Sequence, residues 1–176
     1  MRLSATLAIV LAGALTAGIA SAQSTFQAFL SGTNENPVNA SLGTGYGTVV
    51  LNAASNQITV NLSWSGMTSN ATVSHIHGPG GIGTIVTNAG IIFGFTGVSQ
   101  AMSGGIPEQT FAINQTQIDY LFNGYLYMNV HSGYAPGGEL RGQLTLVPEP
   151  SSLALACLGG GSLIYYVRRR RQSRSE

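Results

Sequence analysis

Apolar and polar residues alternate in short runs through the middle of the chain. The clearest run is "QITVNLSW", where Ile58, Val60, Leu62 and Trp64 share one face and Thr59, Asn61 and Ser63 the other. A period of two marks a strand with one buried face. "GTVVLNA" precedes it, and Ser55-Asn56 between them marks a turn, so residues 45–64 are predicted to form a hairpin. Further strands are predicted at 25–31, 71–77, 90–96, 108–113, 124–131 and 139–146, punctuated by Gly, Asn, Ser and Pro. One segment departs from this period. "NQTQIDYLFNG" opens with Asn114 as an N-cap, closes at Gly124, and places Ile118, Leu121 and Phe122 on one helical face. Short strands at roughly ten-residue spacing with one short helix predict a mainly β domain over 23–147, an antiparallel β-sandwich or a barrel-like Greek-key fold.

The two ends read differently. Residues 1–22 carry Arg2, an apolar run from Leu7 to Ala20 and "ASA" at 20–22. That pattern predicts a helical secretory signal peptide, cut by signal peptidase before Gln23. Residues 148–176 begin "PEP", run through 17 mostly apolar residues from Ser151 to Val167, and then give four arginines, Arg168 to Arg171. The apolar run would make a helix of about 26 Å, at the short end for crossing a bilayer. The arginines after it place the C-terminus in the cytoplasm. Pro148, Glu149 and Pro150, the apolar helix and the cluster Arg168, Arg169, Arg170 and Arg171 together resemble the PEP-CTERM sorting signal of Gram-negative bacteria. That resemblance implies recognition by an exosortase, anchoring in the inner membrane during processing, and delivery to the cell surface or an exopolysaccharide matrix.

Charge changes the picture of the middle. The whole chain has a formal net charge of +1, but between 23 and 147 Arg141 is the only base, against Glu35, Glu108, Asp119 and Glu139. Four acids and one base give −3. Such a domain cannot neutralise a run of phosphates, which excludes nucleic acid as a partner. Cys157 lies outside the domain, so no disulfide staples it. Asn39, Asn61, Asn70 and Asn114 head Asn-x-Ser/Thr triplets, which the Asn-, Ser- and Thr-rich composition accounts for.

The candidate chemistry lies in three histidines. His75 and His77 are two residues apart and share a strand face, with Ile76 on the other. His131 ends "YLYMNVHS", where Leu126, Met128 and Val130 form the apolar face and Tyr125, Tyr127, Asn129 and His131 the opposite one. If these strands are neighbours, three imidazoles converge, a donor set suited to copper or zinc. The other reading is that each ring bonds backbone near a glycine turn. Tyr125, Tyr127 and Tyr134 could stack on sugars or pack on the sheet surface. Arg141 requires an acid, a carbonyl fork or an anionic ligand, with Glu139 nearest on its strand. Glu35 and Glu108 fall in loops with no evident acid/base partner.

"SHIHGPGGIGTIV" and "GYLYMNVHSGYAPGGELRGQL" resemble the CHRD (chordin-type) domain through His75 and His77, through Asn129 to Ser132, and through Pro136 and Gly138 to Gly142. The resemblance implies an extracellular β domain. Three functions are compatible with the sequence: a non-enzymatic surface or matrix module that binds a metal ion, a mononuclear copper or zinc redox enzyme, and a carbohydrate-binding module. A dinuclear site in the style of copper–zinc superoxide dismutase is undersupplied, because it requires about six histidines and the chain has three. No G-x-S-x-G motif is present.

Overall fold

The computed structural model describes residues 23–81 and 87–148. The expected signal peptide over 1–22, Glu149, Pro150, the expected helix from Ser151 to Val167 and Arg168 to Arg171 lie outside them. Among the described residues no helix is long and apolar enough to cross a membrane.

Among the described residues ten strands form one antiparallel sheet: β1 (Gln23–Ser31), β2 (Thr44–Asn52), β3 (Gln57–Ser65), β4 (Ala71–His77), β5 (Ile91–Gly94), β6 (Gly104–Gly105), β7 (Gln109–Ala112), β8 (Tyr127–Ser132), β9 (Leu140–Gln143) and β10 (Thr145–Leu146). The order across the sheet is β5-β4-β8-β9-β1-β2-β3-β6, with β10 also on β1 and β7 also on β3. The sandwich alternative is therefore replaced by a single sheet that curls on itself. Its ends meet through side chains. Phe93 and Phe95 from the β5 side pack against Phe111 of β7, with ring centroids 5.3 and 6.0 Å apart. The Gln109 side chain accepts from Thr96 N at 3.0 Å and donates to Thr96 O at 3.0 Å.

The period-two pattern sets what faces inward. Phe26, Ala28 and Leu30 on β1, Val49 and Leu51 on β2, and Ile58, Val60, Leu62 and Trp64 on β3 are all buried. Met128 and Val130 on β8, Ile76 on β4 and Leu140 on β9 complete the inner face. Each large side chain removed from water in this way contributes about 1.5–3 kcal/mol. Helix α1 (Gln115–Phe122) caps the interior with Ile118 and Leu121. Asn114 accepts from Gln117 N while the Gln117 side chain returns to Asn114 N, a reciprocal capping box. Gly124 follows at φ +70, the left-handed conformation that closes helices.

Four details differ from the sequence pattern. Phe122 is 49% exposed and lies edge-on over Phe26 instead of joining the core. The predicted strand 139–146 splits, because Leu144 N turns to Leu126 O and β10 leaves β9 to pair with β1. Leu146 is consequently half-exposed, and the alternation from Leu140 ends there. β6 is two glycines, which carry no side-chain period to read.

Gly142 lies against β1: a Cβ there would meet Phe29 O at 2.7 Å and Phe29 C at 2.8 Å, both backbone atoms. Gly142→Ala is expected to cost about 3 kcal/mol, the upper range for overpacking. Asn114→Ala, which removes the helix cap, is expected to cost about 1 kcal/mol. Chemical denaturation of both variants checks the ranking.

Candidate functional site

The outer face of the sheet behaves unlike an ordinary solvent face where β4, β8 and β9 meet. Tyr127, Asn129 and Arg141 point outward, yet they are 3%, 2% and 2% exposed. Loop residues fold over them from 32–43, 87–89 and 133–139. Pairing register aligns the groups, with His77 opposite Tyr127, His75 opposite Asn129, and Asn129 opposite Arg141.

β4 and β8 are hydrogen-bonded neighbours, so the three imidazoles converge. One nitrogen from each of His75, His77 and His131 lies within 4.8 Å of the others. His75 Nδ1 is 3.2 Å from His131 Nε2. His77 Nδ1 is 2.9 Å from Ala89 O, and His131 Nδ1 is 2.9 Å from Pro136 O. A carbonyl only accepts, so both Nδ1 atoms carry their protons and both Nε2 atoms keep lone pairs. His77 Nε2 is buried with no hydrogen-bond partner among the described residues.

All three rings are held neutral. Burial lowers the His75 pKa to about 4, with the nearby His131 and His77 adding to the effect. Burial also lowers His77, opposed by its bond to Ala89 and assisted by the charges of His131 and Arg141. His131 is lowered by burial and partly restored by its bond to Pro136. Neutral imidazole is the form that binds metals.

Tyr127 fixes His77 in two ways. Its ring stacks on the imidazole at 5.1 Å and 7°, and its hydroxyl accepts from Ala89 N at 3.0 Å, the residue whose carbonyl holds His77 Nδ1. Arg141 covers the other ring face, its guanidinium carbon 3.5 Å from the centroid. The same guanidinium donates to Thr87 O at 3.1 Å and Asn88 Oδ1 at 3.3 Å. Arg141 is thus committed to a loop carbonyl and an aromatic face. Glu139, its expected ionic partner, is bound elsewhere, to Ser41, Ser132 and Thr68 N. Burial pushes the Glu139 carboxyl up, but those hydrogen bonds together hold it below its ordinary value. With both ring faces taken, Tyr127 offers none to a sugar. Tyr125 packs near Tyr120 at 6.2 Å, and Tyr134, 46% exposed, lies in the loop after β8.

Sequence reasoning missed Glu35. It is 5% exposed, accepts from Asn129 Nδ2 and faces Arg141. Gly138, at φ +137, makes room for it, because a Cβ there would sit 2.5 Å from Glu35 Oε1. Burial raises the Glu35 pKa to about 7, against the Asn129 bond, the Arg141 charge and the Asn36 backbone. The nearest sequence signal was Asn129, on the histidine face and needing a partner.

A family model of the CHRD domain matches residues 26–144, and one of the PEP-CTERM protein-sorting motif matches residues 146–171. No curated protein and no solved structure matches the chain.

Glu35 and the histidines drive stability in opposite directions with pH. Unfolded Glu35 titrates near 4.5 and folded Glu35 near 7, so its burial costs nothing below pH 4.5 and its full cost above 7. At ~1.4 kcal/mol per pH unit, that cost is about 3 kcal/mol. The histidines, neutral in the fold, contribute fully above their unfolded value of 6.5 and lose that contribution as pH falls below it, His75 down to about 4. Glu35→Gln, whose amide could also donate to the unpartnered Asn129 Oδ1, is expected to stabilise the chain by about 3 kcal/mol at pH 8 and negligibly at pH 4.5. Thermal melts across that range check both sign and size.

Proposed function

This chain belongs to the CHRD domain family, and we propose that it is a non-enzymatic module of the bacterial cell surface or exopolysaccharide matrix, holding one copper or zinc ion between His75, His77 and His131. Its PEP-CTERM sorting motif marks it for export and for exosortase processing at the membrane. The proton inventory of the rings carries the metal reading. Two imidazoles spend Nδ1–H on backbone carbonyls, which is how metal-bound histidines are usually oriented, and a buried Nε2 is left with nothing to accept.

The residues fit such an ion in chemistry and nearly in spacing. Bonds of about 2.1 Å at tetrahedral angles separate donors by ~3.4 Å. The His75–His131 spacing of 3.2 Å meets this, and a spacing of 4.8 Å, the widest among the three, contracts by about 1.4 Å on binding. Between His75 and His131 a proton is shared in the metal-free chain. Binding moves it to the far nitrogen of His75, a tautomer shift with no net proton release. Three neutral donors leave the ion its own charge, and the ion supplies a cross-link between β4 and β8.

Elemental analysis of the full chain purified in detergent and loaded with copper or zinc is expected to give one ion per chain at pH 7, retained to about pH 5 and lost toward pH 4. Tyr127→Phe, which removes the Ala89 anchor but no ligand, is expected to weaken binding about 10–100-fold. His131→Ala should abolish stoichiometric loading. A chain that takes up no metal at neutral pH would overturn the metal reading. A loaded chain that turned over superoxide would replace the non-enzymatic reading with the redox one.

A further inference from the structure

Beyond the histidine zone the outer face of the sheet is open among the described residues. On β1, β2 and β3 a row of directly paired residues crosses the strands: Phe29 opposite Tyr46, Tyr46 opposite Ser63, and Ser63 opposite Gly105 of β6. Phe29 is 65% exposed and Tyr46 43% exposed. Their ring centroids are 5.2 Å apart, with planes tilted by 48°. The next row is Gln27, Thr48 and Asn61. Two depressions lie along these rows. One, of about 380 Å³, is lined by Phe29, Tyr46 and Ser63 among others; the second, of about 310 Å³, shares Tyr46 and Ser63 and runs on to Asn61 and Ile106.

We propose that this groove binds a single chain of a neutral polysaccharide, the aromatic pair stacking on sugar rings and the flanking hydroxyls and amides bonding their hydroxyls. This site is separate from the histidine cluster and does not rest on the metal reading. Exposed rings set in polar surroundings suit a ligand that is itself amphipathic. A sugar ring presents an apolar C–H face and a polar rim, matching a ring bordered by Ser, Thr, Asn and Gln. A protein partner would favour a broader contiguous apolar patch than two rings.

Charge narrows the ligand further. Among the described residues the only ionic group the row and its neighbours meet is Glu108, which accepts from Asn61 at 3.1 Å. The domain around it carries −3. An anionic polymer would be repelled, and a nucleic acid would find no cation. The 48° tilt between the rings matches successive sugars of a twisted, solvated chain and not the flat face of a crystalline fibre.

The test is affinity electrophoresis of the full chain in detergent through gels containing amorphous β-glucan, α-glucan, mannan or xylan, with alginate as the anionic control. Retardation by at least one neutral polymer and none by alginate is expected. Phe29→Ala combined with Tyr46→Ala should weaken retention by about tenfold or more, as loss of two stacking contacts implies. Phe29→Tyr should retain binding, and His131→Ala should leave it unchanged. Both rings are exposed, so an unaltered melting curve shows that the double variant is folded. Absence of retention on every neutral polymer would overturn the proposal, as would retention that survives the double variant or appears on alginate alone. Concentration-dependent self-association abolished by the double variant would reassign the face to a second copy of the chain.

Discussion

A guanidinium shut away from water needs every one of its neighbours. Arg141, 2% exposed, is the one base of the domain, and it is satisfied by a ring face, a backbone carbonyl and an amide oxygen, with the Glu35 carboxyl facing it. Leaving such a charge unpaired would cost several kcal/mol. The pairing therefore dictates the surroundings. Tyr127 must lie flat beneath the guanidinium, and residues 87 and 88 must come over it. Once they do, residue 89 is in reach of both the Tyr127 hydroxyl and His77 Nδ1. The imidazole at the end of this stack is positioned by a cation that never touches it.

The same logic explains why so polar a face is buried. Glu139 and Glu35 sit near one another through Gly138, Asn129 and Ser132, but they are held in different ways. Glu139 receives hydroxyl and amide donors and stays ionised; Glu35 receives the Asn129 amide and the Asn36 backbone and feels a guanidinium already shared out, and burial outweighs all three, so its ordinary acidity is lost. Two carboxyls on neighbouring loops thus differ in charge near neutral pH because one has donors and the other has mainly burial. Residues 35, 39 and 41 of the first covering loop are tied down by such polar contacts with residues 129, 138 and 139.

Strand and helix positions were legible because they rest on local periodicity. The 45–64 hairpin, strand 71–77 and the helix after Asn114 appear where alternation and capping residues put them. The shared face of His75 and His77 was readable for the same reason, and their approach to His131 followed once β4 and β8 paired. What alternation could not reveal was that the face away from the core is covered. Tyr127 and Asn129 looked like surface residues on a strand whose other side was apolar, yet both are buried. The role of Glu35 depends on Asn129, 94 positions away, and a loop residue has no period to betray such a partner. Phe29 illustrates the converse: it sits in an alternating strand on the polar side, and only the structure shows that Tyr46 lies opposite it.

The junction between domain and sorting tail follows from the hydrogen bonds of the last strand. The sorting-motif match begins at 146, inside β10, and the domain match ends at 144. β10 is pinned to β1 through Phe26 and Gln27, and Val147 N donates to Thr25 O at 2.8 Å. Pro148, which brings no N–H to a ladder, comes next and is exposed. The ordered ladder therefore stops at the first proline of the motif. A processing enzyme can engage the chain from Pro148 onward without peeling β10 from the sheet, and the fold that carries the histidines is left whole. A cut a few residues earlier would free Leu146 and Thr145 and expose the edge of β1. Placing the Pro-Glu-Pro of the sorting signal directly after the last bonded residue, Val147, lets one chain be both a finished domain and a substrate.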